Sequence, residues 1–165
     1  MEKRAIIFHG TGGHPDHCWY RWLGTRLEAR GYAVEIPHYP GLNSDPIETF
    51  LPTVLASHVF DEGTVLVGHS GGAALLLAIL EHIETPVAQA ILVAGYSTSP
   101  NENAEPVLQA SYDWERIKSH VRDITFLRNN SNFLRPSSER SVLSKGISPH
   151  LSLTKPRTGI PFFTA

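Results

Sequence analysis

The stretch Gly68-His69-Ser70-Gly71-Gly72 constrains this chain more than any other. It reads G-x-S-x-G. A short apolar, β-branched run, Thr64-Val65-Leu66-Val67, precedes it, and a strong helix former, Ala73-Ala74-Leu75-Leu76-Leu77-Ala78-Ile79-Leu80, follows. A strand that turns abruptly into a helix through one serine forces that serine into strained backbone geometry, so both flanks need small residues. The same turn aims the hydroxyl out of the sheet, beside the free N–H groups of the helix start. The pattern is that of a nucleophile elbow, with Ser70 as the candidate nucleophile. The plainer alternative is a glycine-rich turn that happens to contain a serine, and the flanking strand and helix weigh against it.

The rest of the chain alternates in the same way. Arg4 to His9 reads as a buried strand opening into Gly10-Thr11-Gly12-Gly13. Trp19 to Gly31 carries Trp19, Trp22, Leu23 and Leu27 at helical spacing, with Gly31 as a natural stop. Tyr32 to Ile36 is a second strand, ended by Pro37, and a proline-rich loop runs from His38 to Asp45. Ile47 to Val59 reads as helix, with Pro52 tolerable only near its first turns or at a kink. After the elbow come a strand over Val87 to Ala94, a polar loop over Gly95 to Ala110, a helix over Tyr112 to Val121 and a strand over Asp123 to Leu127. Glu139 to Lys145 reads as a further helix and Leu151 to Thr154 as a further strand. Such alternation implies a Rossmann-like, doubly wound parallel sheet in three layers, within one α/β domain spanning 1–165. Ligands bind such sheets at the carboxyl ends of the strands, so His9-Gly10-Thr11, Ser70 and the loops after Ala94 and Leu127 should face one cleft.

Bulk properties exclude several classes. A net charge of −2 gives no global signal for nucleic acid or a membrane surface. No apolar run approaches the roughly 20 residues of a membrane span, and Ala5 to Phe8 is too short for a signal-peptide core. The single cysteine, Cys18, rules out an intrachain disulfide framework and fits a cytoplasmic setting. No HxH or HxxxH pair occurs, so no metal is expected. One shift stands out. Residues 1–127 carry 8 Lys/Arg and 15 Asp/Glu, whereas 128–165 carry 6 basic residues, one acid (Glu139) and seven serines. Three readings fit that tail: a divergent end, a partly disordered end, or a stretch read in a shifted frame.

At this point the chain resembles the small α/β-hydrolase-fold serine hydrolases of the YdeN and retinoblastoma-binding-protein type. The likeness rests on Phe8-His9-Gly10-Thr11-Gly12-Gly13, Trp19-Tyr20-Arg21-Trp22-Leu23, the elbow, Ile91-Leu92-Val93-Ala94-Gly95-Tyr96 and Asp113-Trp114-Glu115-Arg116-Ile117-Lys118. It implies an α/β-hydrolase fold and hydrolysis of a small acyl ester or amide by a Ser-His-Asp triad, without metal or organic cofactor. Ser70 would be the nucleophile. The backbone N–H groups of Thr11 and Gly71 would form the oxyanion hole, because the first loop supplies the second donor in this fold. His9, Gly10 and His69 would border the pocket. A phosphate cradle is the rival use of the glycine-rich first loop, but the lysine such a cradle needs is missing.

The likeness breaks at the other two triad positions. Asn132 falls where the catalytic Asp belongs, Ile160 or Pro161 falls where the His belongs, and the chain stops short of the family's last helix. A serine without a base is a poor nucleophile near neutral pH. The substitute bases to weigh are His9, His14 and His150, with His69 less suited because it points away from the elbow tip; Asp45 and Asp113 are the substitute acids. His17, His38, His58, His82 and His120 read as ordinary loop or helix residues. Apolar surface at Ile160, Phe162 and Phe163 would invite association in the absence of that helix. Two functions follow: a serine hydrolase, or a catalytically impaired homologue that works as a binding protein whose partner the sequence does not name.

Overall fold

Strands that are apolar on both faces need a helix layer over each, and that requirement builds this molecule. The computed structural model describes residues 2–100 and 102–127, all within one compact unit. The elements run β1 (Arg4–Phe8), α1 (Tyr20–Glu28), β2 (Ala33–Glu35), α2 (Ile47–Ser57), β3 (Thr64–His69), α3 (Gly71–His82), β4 (Val87–Val93), α4 (Trp114–Ser119) and β5 (Val121–Leu127). All pairings are parallel, in the order β2-β1-β3-β4-β5. The expected elements after Leu127, together with Asn132, His150, Ile160, Pro161, Phe162 and Phe163, lie outside the described residues.

The register sets up the functional end. Phe8 pairs with Gly68, Gly68 with Leu92, and Leu92 with Phe126. The carboxyl ends of β1, β3, β4 and β5 therefore form one row, and the loops leaving them share one edge of the sheet. Alternation along β1 divides the core. Ile6 and Phe8 face α2, α3 and α4, whereas Ala5 and Ile7 join Val65, Val67 and Leu27 on the α1 side.

Helix α3 is the keystone of the larger face. Every residue from Gly71 to Leu80 is buried, so it has no polar stripe, as expected for a helix enclosed by protein. Pro52 lies in the second turn of α2, on its exposed side, where the lost N–H leaves only one carbonyl of the helix without its usual partner.

Of the boundaries that differ from the sequence expectation, those around α3 and α4 change the reading most. β3 runs through His69 and α3 begins at Gly71, because Gly68 and His69 stay extended and paired to Leu92 and Val93. The whole change of direction falls on Ser70. The helix expected over Tyr112 to Val121 shrinks to six residues. Asp113 caps it, its carboxylate accepting from the Arg116 N–H at 3.0 Å, and Val121 pairs with Val87 as the first residue of β5.

Leu76 is fully buried in α3. Leu76→Ala should lower unfolding stability by about 2–5 kcal/mol, read from urea denaturation. A loss within about 0.5 kcal/mol, the range of ordinary surface changes, would contradict the central placement of this helix.

Candidate active site

The geometry at Ser70 follows from the pentapeptide. Its backbone sits at φ 52° and ψ −116°, a conformation that costs a non-glycine residue about 1–3 kcal/mol. The residue is anchored on both sides. Its N–H donates to the Val93 carbonyl at 2.9 Å, and its carbonyl accepts from Ala73 and Ala74 at 2.9 and 3.1 Å. A serine at the start of a helix ordinarily turns its hydroxyl back to cap the first N–H groups. Ser70 makes no such cap, so its hydroxyl is left for other chemistry.

Close approach explains the glycines. A Cβ on Gly72 would lie 2.6 Å from the Phe8 carbonyl oxygen and would also strike that of His9, so the start of α3 crosses the end of β1 backbone to backbone. A Cβ on Gly71 would meet the Thr11 hydroxyl and lie 3.2 Å from the Thr11 nitrogen. One on Gly10 would lie 3.4 Å from the Cβ of Ser70. The first loop thus rests on the elbow and brings Thr11, Gly71 and Ser70 together, next to the positive end of α3.

His9 controls the orientation of that loop. It is 1% exposed, and its Nε2 accepts the Tyr39 N–H at 2.9 Å. The proton must then sit on Nδ1, which donates to the Gly10 carbonyl at 2.8 Å. The Gly13 N–H also donates to that carbonyl, at 2.9 Å. Because the peptide is planar and trans, two donors on the Gly10 oxygen also fix the direction of the Thr11 N–H. Burial lowers the His9 pKa, with His38, His14 and His17 adding to the effect and the Gly10 bond opposing it. His9 was weighed as a substitute base; both its nitrogens are committed to backbone groups, which removes it from that role.

His69 is likewise engaged, with its Nδ1 2.7 Å from the Tyr20 hydroxyl, and burial lowers its pKa. Of the substitute acids, Asp45 sits in the exposed turn before α2 and Asp113 is the cap of α4. The histidines read as ordinary divide into two groups. His82 and His120 bond the carbonyls of Ala78 and Leu80, and His58 links Tyr39 to Glu35, at 2.7 Å to each. His17 and His38 instead gather around His14, with ring centroids 5.7 and 4.5 Å from it, and His38 lies 5.7 Å from His9. Sequence spacing could not show this grouping, because it joins the loops after β1 and β2. Among the described residues no set of three or more His, Cys, Asp or Glu could hold a metal ion. No helix among them is long and apolar enough to cross a membrane.

Tyr96 and Glu105 were not singled out from sequence. Tyr96 is buried, donates to Glu105 at 2.8 Å and is held above the usual phenol range by burial and by that carboxylate, while the Thr11 side chain favours its ionised form. Glu105 also accepts from Asn43 at 2.5 Å, and Asn43 accepts from the Val107 N–H at 3.0 Å. The loops after β2 and β4 are thereby fastened to each other beside Thr11.

The lowered pKa values of His9 and His69 carry a sign. Below the ordinary value of 6.5 the unfolded chain takes up these protons before the folded one does. Stability should hold above about pH 6.5 and decline as pH falls from there toward the lowered folded-state values. His9→Gln should flatten part of that decline in urea midpoints taken from about pH 8 to about pH 5. A wild-type midpoint that rises as pH falls through this window would contradict the assignment.

Comparison with known proteins agrees with this geometry. The family model described as "Alpha/beta hydrolase family" matches residues 5–157. The putative hydrolase YdeN of Bacillus subtilis (strain 168) is 29% identical over 156 residues, which cover 92% of this chain and 82% of that protein. Serine hydrolase RBBP9 of Rattus norvegicus is 29% identical over 161 residues, covering 90% and 82%. The crystal structure of the ydeN gene product from B. subtilis matches with a TM-score of 0.73 at 27% identity, over 87% of this chain and 80% of that one.

Proposed function

The chain belongs to the alpha/beta hydrolase family, and we propose that it hydrolyses a carboxylic ester or amide of a small acyl group through Ser70. The observation that carries this reading is the strained, uncapped Ser70, set against the Thr11 and Gly71 backbone. In the proposed reaction the Ser70 oxygen attacks the carbonyl carbon and its proton passes to a base. The carbonyl oxygen, now negative, accepts from the Thr11 and Gly71 N–H groups. Collapse expels the alcohol or amine, which takes up that proton, and water then releases the acid from the acyl-serine.

A second reading has its own support. Among the described residues no side chain bonds the Ser70 hydroxyl, and His9 and His69 are both engaged elsewhere. Asn132 and Ile160, at the positions of the family's acid and base, lie outside the described residues. A chain without a base would keep the cleft and lose most turnover, acting as a binding homologue. The oxyanion hole and binding alone would then leave roughly 10³–10⁴-fold catalysis over water.

A fluorophosphonate probe separates the two. The hydrolase reading expects covalent labelling of the wild-type chain that vanishes in Ser70→Ala. A folded wild-type chain that stays unlabelled would sink it and leave the binding homologue.

A further inference from the structure

The hydroxyl of Tyr20 lies at the junction of the two segments that the proposed reaction needs. Tyr20 is the first residue of α1 and only 1% exposed, which is unusual for a tyrosine. Its oxygen accepts the Gly10 N–H at 3.1 Å. Its own proton is then free to go to His69 Nδ1, 2.7 Å away, which puts the His69 proton on Nε2. Gly10 immediately precedes Thr11, and His69 immediately precedes Ser70 and Gly71. One phenol therefore spans from the loop with one proposed oxyanion donor to the elbow with the nucleophile and the other donor.

A second contact shows that the span is tight. A Cβ on Gly10 would lie 3.3 Å from His69 Nδ1 and 3.4 Å from the His69 carbonyl oxygen. The loop is in van der Waals contact with the elbow at the point the phenol bridges. The His9 and Gly13 donors fix the plane of the Gly10–Thr11 peptide but tie it to its own loop and, through Tyr39, to the loop after β2. Among the described residues Tyr20 is the side chain whose hydrogen bonds join the first loop directly to the elbow.

We propose that Tyr20 is a positioning residue that sets the spacing between the Thr11 and Gly71 donors by clamping Gly10 to His69. This rests on the Ser70 reading for its catalytic meaning and on the hydrogen bonds alone for its structural meaning. Tyr20→Phe keeps the ring and removes the hydroxyl, and with it the clamp and the contact with Cys18. His69→Gln removes the imidazole acceptor from the other side and serves if Tyr20→Phe folds poorly.

The test takes two measurements on the same full-length samples. In the first, fluorophosphonate labelling of Ser70 should slow by roughly 10- to 100-fold in Tyr20→Phe, the range expected when reacting groups are misplaced by about an ångström. Tyr20→Phe and His69→Gln should be non-additive, because both cut the same link. In the second, amide exchange at Gly10 and Thr11 should quicken by about tenfold or more while exchange in β1 and α3 stays unchanged. Unchanged labelling with unchanged loop exchange overturns the proposal, and so does a slowing that is additive between the two variants. If the wild-type chain is not labelled at all, the Ser70 reading fails by itself. The exchange measurement then decides the clamp: local quickening upholds it, and none refutes it.

Discussion

The crossing of β1 and α3 is the contact on which the rest depends. At that point the first turn of a fully buried helix lies against the carbonyls of Phe8 and His9, closer than any side chain on Gly72 would permit. Gly68 makes the matching approach from β3, where a Cβ would lie 2.7 Å from the Ala73 nitrogen. Bringing strand, turn and helix this close leaves one residue to absorb the whole change of direction. The strain at Ser70 is thus a consequence of backbone packing, held in place by α3, whose apolar burial far exceeds the cost of one disfavoured φ/ψ pair.

The strain is not confined to Ser70. Among the described residues four non-glycine positions take positive φ: Cys18, Asn43, Ser70 and Ala94. Asn43 ties down Glu105, and Ala94 turns the chain out of β4 just before Tyr96. Cys18 immediately precedes the Trp19-Tyr20 start of α1 and interacts with the Tyr20 hydroxyl. All four therefore lie on or beside the loops that these side-chain contacts tie together. A left-handed residue is unfavourable unless its surroundings over-determine it, and here the hydrogen bonds of Tyr20, Tyr96 and Glu105 provide that support. Polar links thus hold together loops that have little regular structure of their own.

Much of this was legible in the residues. The strand–serine–helix turn and the five strands follow from periodicity and glycine placement, because those signals are local, and the alternation with helices implies their parallel pairing. The pairing of Thr11 with Gly71 followed from the family's loop-to-elbow arrangement. What the sequence did not show is what depends on contacts between distant loops. Tyr20 entered only as part of the Trp19-Tyr20-Arg21-Trp22-Leu23 helix start, since spacing cannot reveal where a hydroxyl goes. Glu105 read as loop polarity, although it collects Tyr96 and Asn43 from two other segments. The end of α4 was placed too late because Val121 suits a helix face and a buried strand equally well, and pairing with Val87 decides between them.

The histidines explain why, among the described residues, the serine lacks an evident base. Nine occur in the chain, and each of the eight described can be placed. His9, His58, His69, His82 and His120 all have a ring nitrogen engaged with a backbone or side-chain group that positions a loop or closes a helix. His14, His17 and His38 pack against one another on the loops after β1 and β2, and His14 also faces Asp16. A general base needs an accepting nitrogen within hydrogen-bond reach of the hydroxyl it activates. In His9 the nitrogen that could accept already holds the Tyr39 N–H, so protonating it would break the bond that orients the loop proposed to carry an oxyanion donor. The imidazole that best aligns the proposed donors is for that reason unsuited to take the proton from Ser70. On the proposed reading, orientation and proton transfer fall to different residues, and the buried histidines among the described residues serve orientation.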